Sequence, residues 1–209
     1  MRVVVVGAGA IGSPLAQGLR LAWPEAEITV VDSDVVERSN LPRQPWFSLQ
    51  DLGRPKALVL AESLGHERVH PCLERVDEHF AWPPADLVMD GTDNWAARQL
   101  IQKFARAQGI PWVFAGAVRW EGQVAWMDSK GPCLACLFGS DPPEGLRCFE
   151  TGVMGMVTLG VAGQALALAQ EWVLRPASAK LRRLYLLEGR QGRSWSVGLP
   201  KRGCPHFHG

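Results

Sequence analysis

Short apolar runs alternate with amphipathic stretches through the first half of the chain. Runs typical of buried strands occupy residues 2–7, 27–32, 68–72, 86–90 and 112–118. Helical periodicity occupies residues 11–22, 56–64 and about 95–107, between those strands. This alternation predicts a parallel sheet with helices on both faces. The stretch 34–52, which contains Pro42 and Pro45, is expected to be irregular.

The second half has a different pattern. Residues 123–128 alternate as an antiparallel strand does, and residues 184–188 and 194–197 predict a closing hairpin around Gly189 and Gly192. Residues 131–152 are rich in Pro, Gly and Cys and predict a long loop, which in a compact domain usually serves function.

One segment, residues 152–169, is apolar except for Thr158 and Gln164. Its length approaches that of a membrane span, but it lacks flanking aromatic and basic anchors, and Gln170 and Glu171 follow at once. We therefore expect no membrane association and a helix that is buried on all sides, either inside an α/β domain or in a dimer interface.

Together these elements predict one α/β domain over residues 1–209. The expected fold is Rossmann-like and doubly wound, with a mostly parallel, nucleotide-binding half at 1–118 and antiparallel strands in the part at 119–209. The net charge of +1 and the lack of a Lys/Arg-rich run give no case for nucleic acid as a partner. Five cysteines without a recognisable signal peptide favour reduced thiols and a cytoplasmic location.

Candidate chemistry begins with the glycine motif GAGAIG at residues 7–12, directly after the first apolar run. Gly7 would allow a tight turn, Gly9 a close approach of the backbone to a phosphate, and Gly12 close packing of helix on strand. Asp32 ends the second predicted strand, where a carboxylate usually accepts ribose hydroxyls. A nucleotide site is therefore predicted at this end of the sheet.

Three further groups follow on the ligand side of the predicted sheet. Asn40 and Arg43 could reach phosphates or ribose, the alternative being a solvated loop. Lys56 starts a helix, where its charge opposes the helix dipole, so either an anion lies beside it or the side chain is simply exposed. The motif DGTDN at residues 90–94 suits Mg²⁺, with Asp93 as the metal ligand and Asn94 as helix cap or base contact.

The cysteines form another candidate site. Cys133 and Cys136 have the spacing of half a tetrahedral zinc site, which Cys204 could extend, with His206 or alternatively His208 as fourth ligand. A redox pair is the competing interpretation.

Taken together, the motifs resemble the MoeB/ThiF/HesA family, the bacterial relatives of ubiquitin-activating enzymes. The matching segments are GAGAIG at 7–12, DSD at 32–34, SNLPRQ at 39–44, GRPKA around Lys56, DGTDN at 90–94, CLAC at 133–136 and CFETGVMG at 148–155. The resemblance implies adenylation of the C-terminal glycine of a small ubiquitin-like sulfur carrier ending in Gly-Gly. It also implies ATP and Mg²⁺, and sulfur transfer in cofactor or thionucleoside biosynthesis by a homodimer.

The resemblance also implies roles for individual residues. Asp32 would hold the ribose, Asp93 would bind Mg²⁺, and Cys133 with Cys136 would bind structural zinc. Cys148 matches the cysteine that some members use to form a covalent persulfide or thioester. The remaining nucleotide contacts would come from Asp34, Asn40, Arg43, Gln44, Lys56 and Asn94. Charge neutralisation on the leaving pyrophosphate would fall to Arg43 and Lys56, together with the metal.

Two departures from the family pattern keep alternatives open. The sequence begins at its first strand, without the helix from which family dimers supply an arginine, and Phe207 stands where a fourth cysteine is expected. A shortened relative that binds nucleotide or carrier without turnover is one alternative. An NAD(P)-dependent oxidoreductase is another, since the glycine motif and Asp32 fit it equally, although it leaves Arg43 and Lys56 unexplained.

Overall fold

A computed structural model describes residues 1–139, 152–200 and 204–206. Within these residues one sheet has the strand order β3-β2-β1-β4-β5-β6-β7-β8. The strands are β1 (Arg2–Val6), β2 (Glu27–Val31), β3 (Val69–Cys72), β4 (Leu87–Asp90), β5 (Trp112–Val118), β6 (Glu121–Met127), β7 (Arg183–Glu188) and β8 (Arg193–Gly198). The pairs among the first five are parallel, and β6, β7 and β8 are added antiparallel. This confirms the predicted mostly parallel sheet with an antiparallel C-terminal part.

Helices cover both faces of the sheet. They are α1 (Gly12–Ala22), α2 (Lys56–Leu64), α3 (Trp95–Gln108), α4 (Leu134–Phe138) and α5 (Gly155–Leu174), with short 3₁₀ helices at Leu49–Asp51 and Ala179–Arg182. Helices α1, α2 and α5 contribute to one apolar cluster, whereas α3 and α4 contribute to a second cluster across the sheet. Continuous apolar strands such as Val3–Val6 are buried because each face has such a cover.

Helix α5 is not buried on all sides by the described residues of its own chain, which leaves burial in a dimer interface as the other expected arrangement. Val161, Ala165 and Leu168 are buried, and the helix packs along β5, β6 and α1. Met156 and Leu159 on another face are 61% and 51% exposed. Among the described residues, α5 is the helix long and apolar enough to cross a membrane, with 44% of that window buried. Its contacts are those of a core helix that leaves one apolar face uncovered by the described residues.

Helix α4 lies within the stretch predicted as a loop, so that prediction is wrong at this point. The buried Leu134 donates its backbone N–H to Oε1 of Gln102 on α3 at 2.7 Å, and Phe138 packs against Phe114. Tertiary anchors therefore hold a five-residue helix that would be unstable alone. Residues 140–151, and with them the predicted site residue Cys148, lie outside the described residues.

Candidate active site

A crevice of about 1320 Å³ lies at the carboxyl ends of β1, β2 and β4. Strand order reverses between β1 and β4, and ligands of open α/β sheets bind at this position. The crevice brings together most of the residues expected at a nucleotide site: Gly7, Gly9, Asp32, Asp34, Asn40, Arg43, Gln44, Lys56, Asp93 and Asn94.

The glycine turn has the geometry that the motif predicts. Gly7 has φ of +95°, and a Cβ there would lie 2.7 Å from the carbonyl oxygen of Gly91. A Cβ on Gly12 would lie 1.7 Å from the carbonyl oxygen of Gly7, so any side chain would disrupt the start of α1. A Cβ on Gly9 would meet only the amide nitrogen of Gln44, at 3.7 Å. Gly7 and Gly12 therefore shape the turn, while Gly9 leaves its backbone open to the crevice.

The start of α1 adds an electrostatic component to this turn. The N-cap position, Ile11, provides no side-chain hydrogen bond to the helix. Unpaired N–H groups at a helix N-terminus carry partial positive charge and bind anions. The end of the helix beside the crevice is thus suited to phosphate.

Asp32 is held against the glycine turn. Its Oδ2 accepts the backbone N–H of Ala8 at 2.6 Å, and its Oδ1 accepts that of Asp34 at 2.8 Å. Burial raises the pKa of Asp32, although these two hydrogen bonds and the charge of Lys56 act in the opposite direction. The carboxylate is therefore oriented before any ligand arrives.

Lys56 is buried, which rules out the alternative of a simply exposed side chain. The residue is 6% exposed, and its Nζ lies 3.0 Å from Oδ2 of Asp34. The positive charge of Lys56 is unfavourable at the start of α2, and the carboxylate of Asp34 is the anion that offsets it. The side chain of Asp34 is 69% exposed. The pair places an ammonium group in the crevice wall in a fixed position.

The 39–44 segment forms another wall. Asn40 is buried and accepts the backbone N–H of Glu37 through Oδ1, which closes a turn. Nη1 of Arg43 donates to the carbonyl oxygen of Ser39 at 2.8 Å. Gln44 is 4% exposed, and its Oε1 has no hydrogen-bond partner among the described residues. Because a buried acceptor without a partner is unfavourable, Gln44 fits a ligand that supplies an O–H or N–H group.

In the DGTDN segment, Asp90 and Asn94 have structural contacts, whereas Asp93 lies in the crevice lining. Asn94 caps α3 by accepting the backbone N–H of Ala97 at 2.8 Å, which confirms the predicted cap. Asp93 is exposed and lines the crevice, so its carboxylate fits the predicted role toward a hard cation. Asp90 is fully buried, accepts hydrogen bonds from Thr92 and Arg98, and does not line the crevice, so Asp93 is the carboxylate of this segment that is available to a metal.

Arg98 is the residue that the sequence interpretation missed. It is 3% exposed, and its Nε lies 3.0 Å from Oδ2 of Asp90. Burial raises the pKa of Asp90, and the positive charge of Arg98 opposes that rise. The helical spacing could have indicated that Arg98 is buried, since it shares the buried face of α3 with Ile101 and Ala105.

A cluster of possible metal ligands lies near α4. The ligand atoms of Cys133, Cys136, Cys204 and His206 all lie within 4.8 Å of one another. Sγ of Cys136 is 3.6 Å from the sulfur atoms of Cys133 and Cys204, and Nδ1 of His206 is 3.3 and 3.4 Å from those of Cys133 and Cys136. A tetrahedral zinc ion with ordinary bond lengths requires about 3.8 Å between sulfurs and about 3.5 Å between sulfur and nitrogen. The spacing therefore fits zinc, with His206 in the fourth position.

The competing redox interpretation has one feature in its favour, since Cys133 occupies the N-cap position of α4. Burial raises the pKa of the Cys133 thiol to about 11. The pKa of Cys204 is about 6; burial acts to raise it, and the hydrogen bond from Cys133 lowers it. The convergence of Cys204 and His206 on the pair favours a metal. The alternative ligand His208 lies outside the described residues.

Comparisons with known proteins agree with this architecture. The model of the ThiF family matches residues 1–205. The SAMP-activating enzyme E1 of Haloferax volcanii is 41% identical over 165 residues, which cover 75% of this chain and 61% of that protein. The sulfur carrier protein adenylyltransferase of Thermus thermophilus is 38% identical over 186 residues, which cover 79% of this chain and 66% of that protein.

The fold is shared with a solved structure at lower identity. E. coli MccB crystallised with ATP has a TM-score of 0.79 and 20% identity, and the match covers 97% of this chain and 64% of that chain. The chain thus spans less than two thirds of the length of these three proteins.

Proposed function

Because the chain belongs to the ThiF family, we propose that it adenylates the C-terminal glycine of a small ubiquitin-like sulfur-carrier protein with ATP and Mg²⁺. The carrier carboxylate attacks the α-phosphorus of ATP, an acyl-phosphate bond forms, and pyrophosphate leaves. The observation that supports this proposal is the single crevice in which an open glycine turn meets Asp32, Arg43, Lys56 and Asp93.

The reaction requires no protein nucleophile, so the residues act by placement and by charge. Asp32, oriented by the glycine turn, accepts the ribose hydroxyls. Arg43 and Lys56 stabilise the negative charge that develops on pyrophosphate, and Asp34 holds Lys56 in place before the reaction. Asp93 would hold Mg²⁺, which supplies further neutralisation of phosphate charge when bound.

A ubiquitin-like carrier as substrate is supported by the relatives, which include a SAMP-activating enzyme and a sulfur carrier protein adenylyltransferase. We expect a carrier ending in Gly-Gly and a place in sulfur transfer for cofactor or thionucleoside biosynthesis. Cys148 is the candidate nucleophile for the transfer step. Replacing Cys148 with serine should preserve adenylation and block sulfur transfer, and unchanged transfer would remove this thiol from the mechanism.

The cysteine cluster is proposed as a structural zinc site with ligands Cys133, Cys136, Cys204 and His206. When bound, zinc would join α4 to the segment at 204–206 in the manner of a closed, four-ligand site. None of the described cysteines, Cys72, Cys133, Cys136 and Cys204, forms a disulfide. We propose a cytoplasmic location, where thiols stay reduced.

A homodimer is proposed through the uncovered face of α5. Met156, Leu159 and Leu174 are each more than half exposed, and the exposed Gly163 and Ala167 lie between them. Contiguous apolar surface of this kind marks interaction sites. Sedimentation equilibrium should give a dimer for the natural chain and a monomer for Leu159→Glu, and a monomeric natural chain would refute the proposal.

Exchange of labelled pyrophosphate into ATP tests the activity. The exchange should require a carrier with a free Gly-Gly terminus and should be absent with the same carrier extended by one residue. Binding of ATP without exchange, across several candidate carriers, would instead favour a relative that binds nucleotide without turnover.

A further inference from the structure

Arg98, a buried residue in the lining of the crevice, makes three polar contacts with backbone and side-chain groups there. Besides its ion pair with Asp90, its Nη2 donates to the carbonyl oxygen of Thr92 at 2.7 Å and to that of Ala115 at 3.1 Å. The guanidinium also lies 4.9 Å from the ring centroid of Phe114. One buried side chain therefore joins the end of β4, the loop after it and the adjacent strand β5.

The loop fixed in this way carries the proposed metal ligand. Thr92 immediately precedes Asp93, and Asn94 is anchored on the other side as the cap of α3. The backbone on both sides of Asp93 is thus held in place. On one side Asp90 accepts the N–H and hydroxyl of Thr92 while Arg98 holds its carbonyl, and on the other side Asn94 caps α3. A Cβ on Gly116 would lie 3.3 Å from Nη2 of Arg98, so the guanidinium is closely enclosed.

We propose that Arg98 is a positioning residue for Mg²⁺, because it holds the Thr92 carbonyl and thereby directs the Asp93 carboxylate into the crevice. This inference rests on the proposed function, since it assumes that Asp93 binds the metal of a Mg²⁺–ATP complex. Although Arg98 lines the crevice, it is only 3% exposed and its guanidinium donates to Asp90, Thr92 and Ala115, so we expect it to make no direct contact with the nucleotide. Its effect is therefore specific to the metal, and ATP binding in the absence of Mg²⁺ should be nearly independent of it.

The variant that tests this is Arg98→Lys, which keeps a positive charge beside Asp90 but cannot reach the carboxylate and both carbonyls together. The measured quantity is the ratio of the ATP dissociation constant in EDTA to that in Mg²⁺, obtained by calorimetry. The ratio should fall at least tenfold in Arg98→Lys, while the constant in EDTA changes less than twofold. An unchanged ratio, or an equal loss of affinity in both buffers, would overturn the inference.

The matched control is Arg106→Lys. Arg106 lies on the same helix and also donates to two carbonyl oxygens, those of Ser129 and Gly131, which lie outside the crevice lining. For Arg106→Lys, the ratio of the ATP dissociation constant in EDTA to that in Mg²⁺ should stay within twofold of the ratio for the natural chain. A comparable fall in Arg106→Lys would mean that any weakening of α3 has this effect, which would also refute the specific role.

Two further variants separate possible failures. If Arg98→Lys does not fold, Asp90→Asn combined with Arg98→Met removes both buried charges together, and the ratio should still fall because the Thr92 carbonyl has lost its donor. Asp93→Ala tests the assumption that Asp93 binds the metal of the Mg²⁺–ATP complex. If Asp93→Ala loses the Mg²⁺ effect and Arg98→Lys keeps it, the inference alone fails. If the natural chain shows no Mg²⁺ effect, the proposed metal site fails with it.

Discussion

Replacing Lys56 with methionine removes the ammonium group and keeps most of the buried side-chain stem. In the structure this ammonium lies 3.0 Å from Asp34, and the lysine side chain is only 8% exposed. Asp34 is 69% exposed, so its carboxylate stays hydrated after the change. Loss of an ion pair with one exposed partner costs about 1 kcal/mol or less in the free energy of unfolding.

The effect on catalysis should be much larger than the effect on stability. Removing one preorganised group that stabilises charge in a transition state costs a factor of roughly 10²–10³ in rate, or about 3–4 kcal/mol. We therefore expect pyrophosphate exchange by Lys56→Met to fall at least ~100-fold, while urea denaturation shows an unfolding free energy within ~1 kcal/mol of the natural chain.

The control for this prediction is Arg54→Met, two residues earlier. Arg54 pairs with Asp51 at 3.2 Å and with Glu62, and it does not line the crevice. Its exchange rate should remain within twofold. Natural exchange rates in Lys56→Met would refute the phosphate role of this lysine, as would a loss of activity that merely follows a loss of folded protein.

Three other predictions concern the turn, the ribose contact and the metal cluster. Gly9→Ala should fold and bind ATP more weakly, whereas Gly12→Ala should fail to fold because its Cβ overlaps the Gly7 carbonyl. Circular dichroism measures folding and calorimetry measures ATP binding; the same folding and affinity in both variants would contradict this geometry. The raised pKa of Asp32 means that ATP affinity, full at neutral pH, should be lost on acidification at a higher pH than for an ordinary aspartate. The residual ATP affinity of Asp32→Asn should not show this loss on acidification. The same loss in Asp32→Asn would exclude the Asp32 carboxylate as its cause. Metal analysis should find one zinc per chain and none in Cys133→Ala; equal zinc contents would exclude Cys133 as a ligand.

Features with short-range causes were predictable from the sequence. The turn at Gly7, the strands around it and the cap at Asn94 each depend on a few neighbouring residues, and the structure places them where the pattern does. The mostly parallel sheet with helices on both faces was predictable because alternating strands and helices permit few arrangements. The grouping of Asp32, Lys56 and Asp93 followed in turn, since carboxyl ends of parallel strands share one edge.

Features that depend on tertiary contacts were not predictable in the same way. The pairing of Lys56 with Asp34 joins residues that an irregular segment separates, and no local pattern marks it. Arg98 looks like an ordinary helical arginine until β4 and β5 are placed beside it. Contacts with Gln102 and Phe114 anchor helix α4. The exposed Met156 and Leu159 of α5 are as apolar as its buried Val161 and Leu168, so composition alone does not distinguish the two faces.

Equilibrium titration of the purified chain with Mg²⁺–ATP and, separately, with NAD⁺ and NADP⁺ shows which nucleotide the crevice accepts. We expect saturable ATP binding that Lys56→Met and Asp93→Ala both weaken, with no comparable binding of either dinucleotide. Binding of a nicotinamide dinucleotide in the absence of ATP binding would contradict this expectation and favour an oxidoreductase.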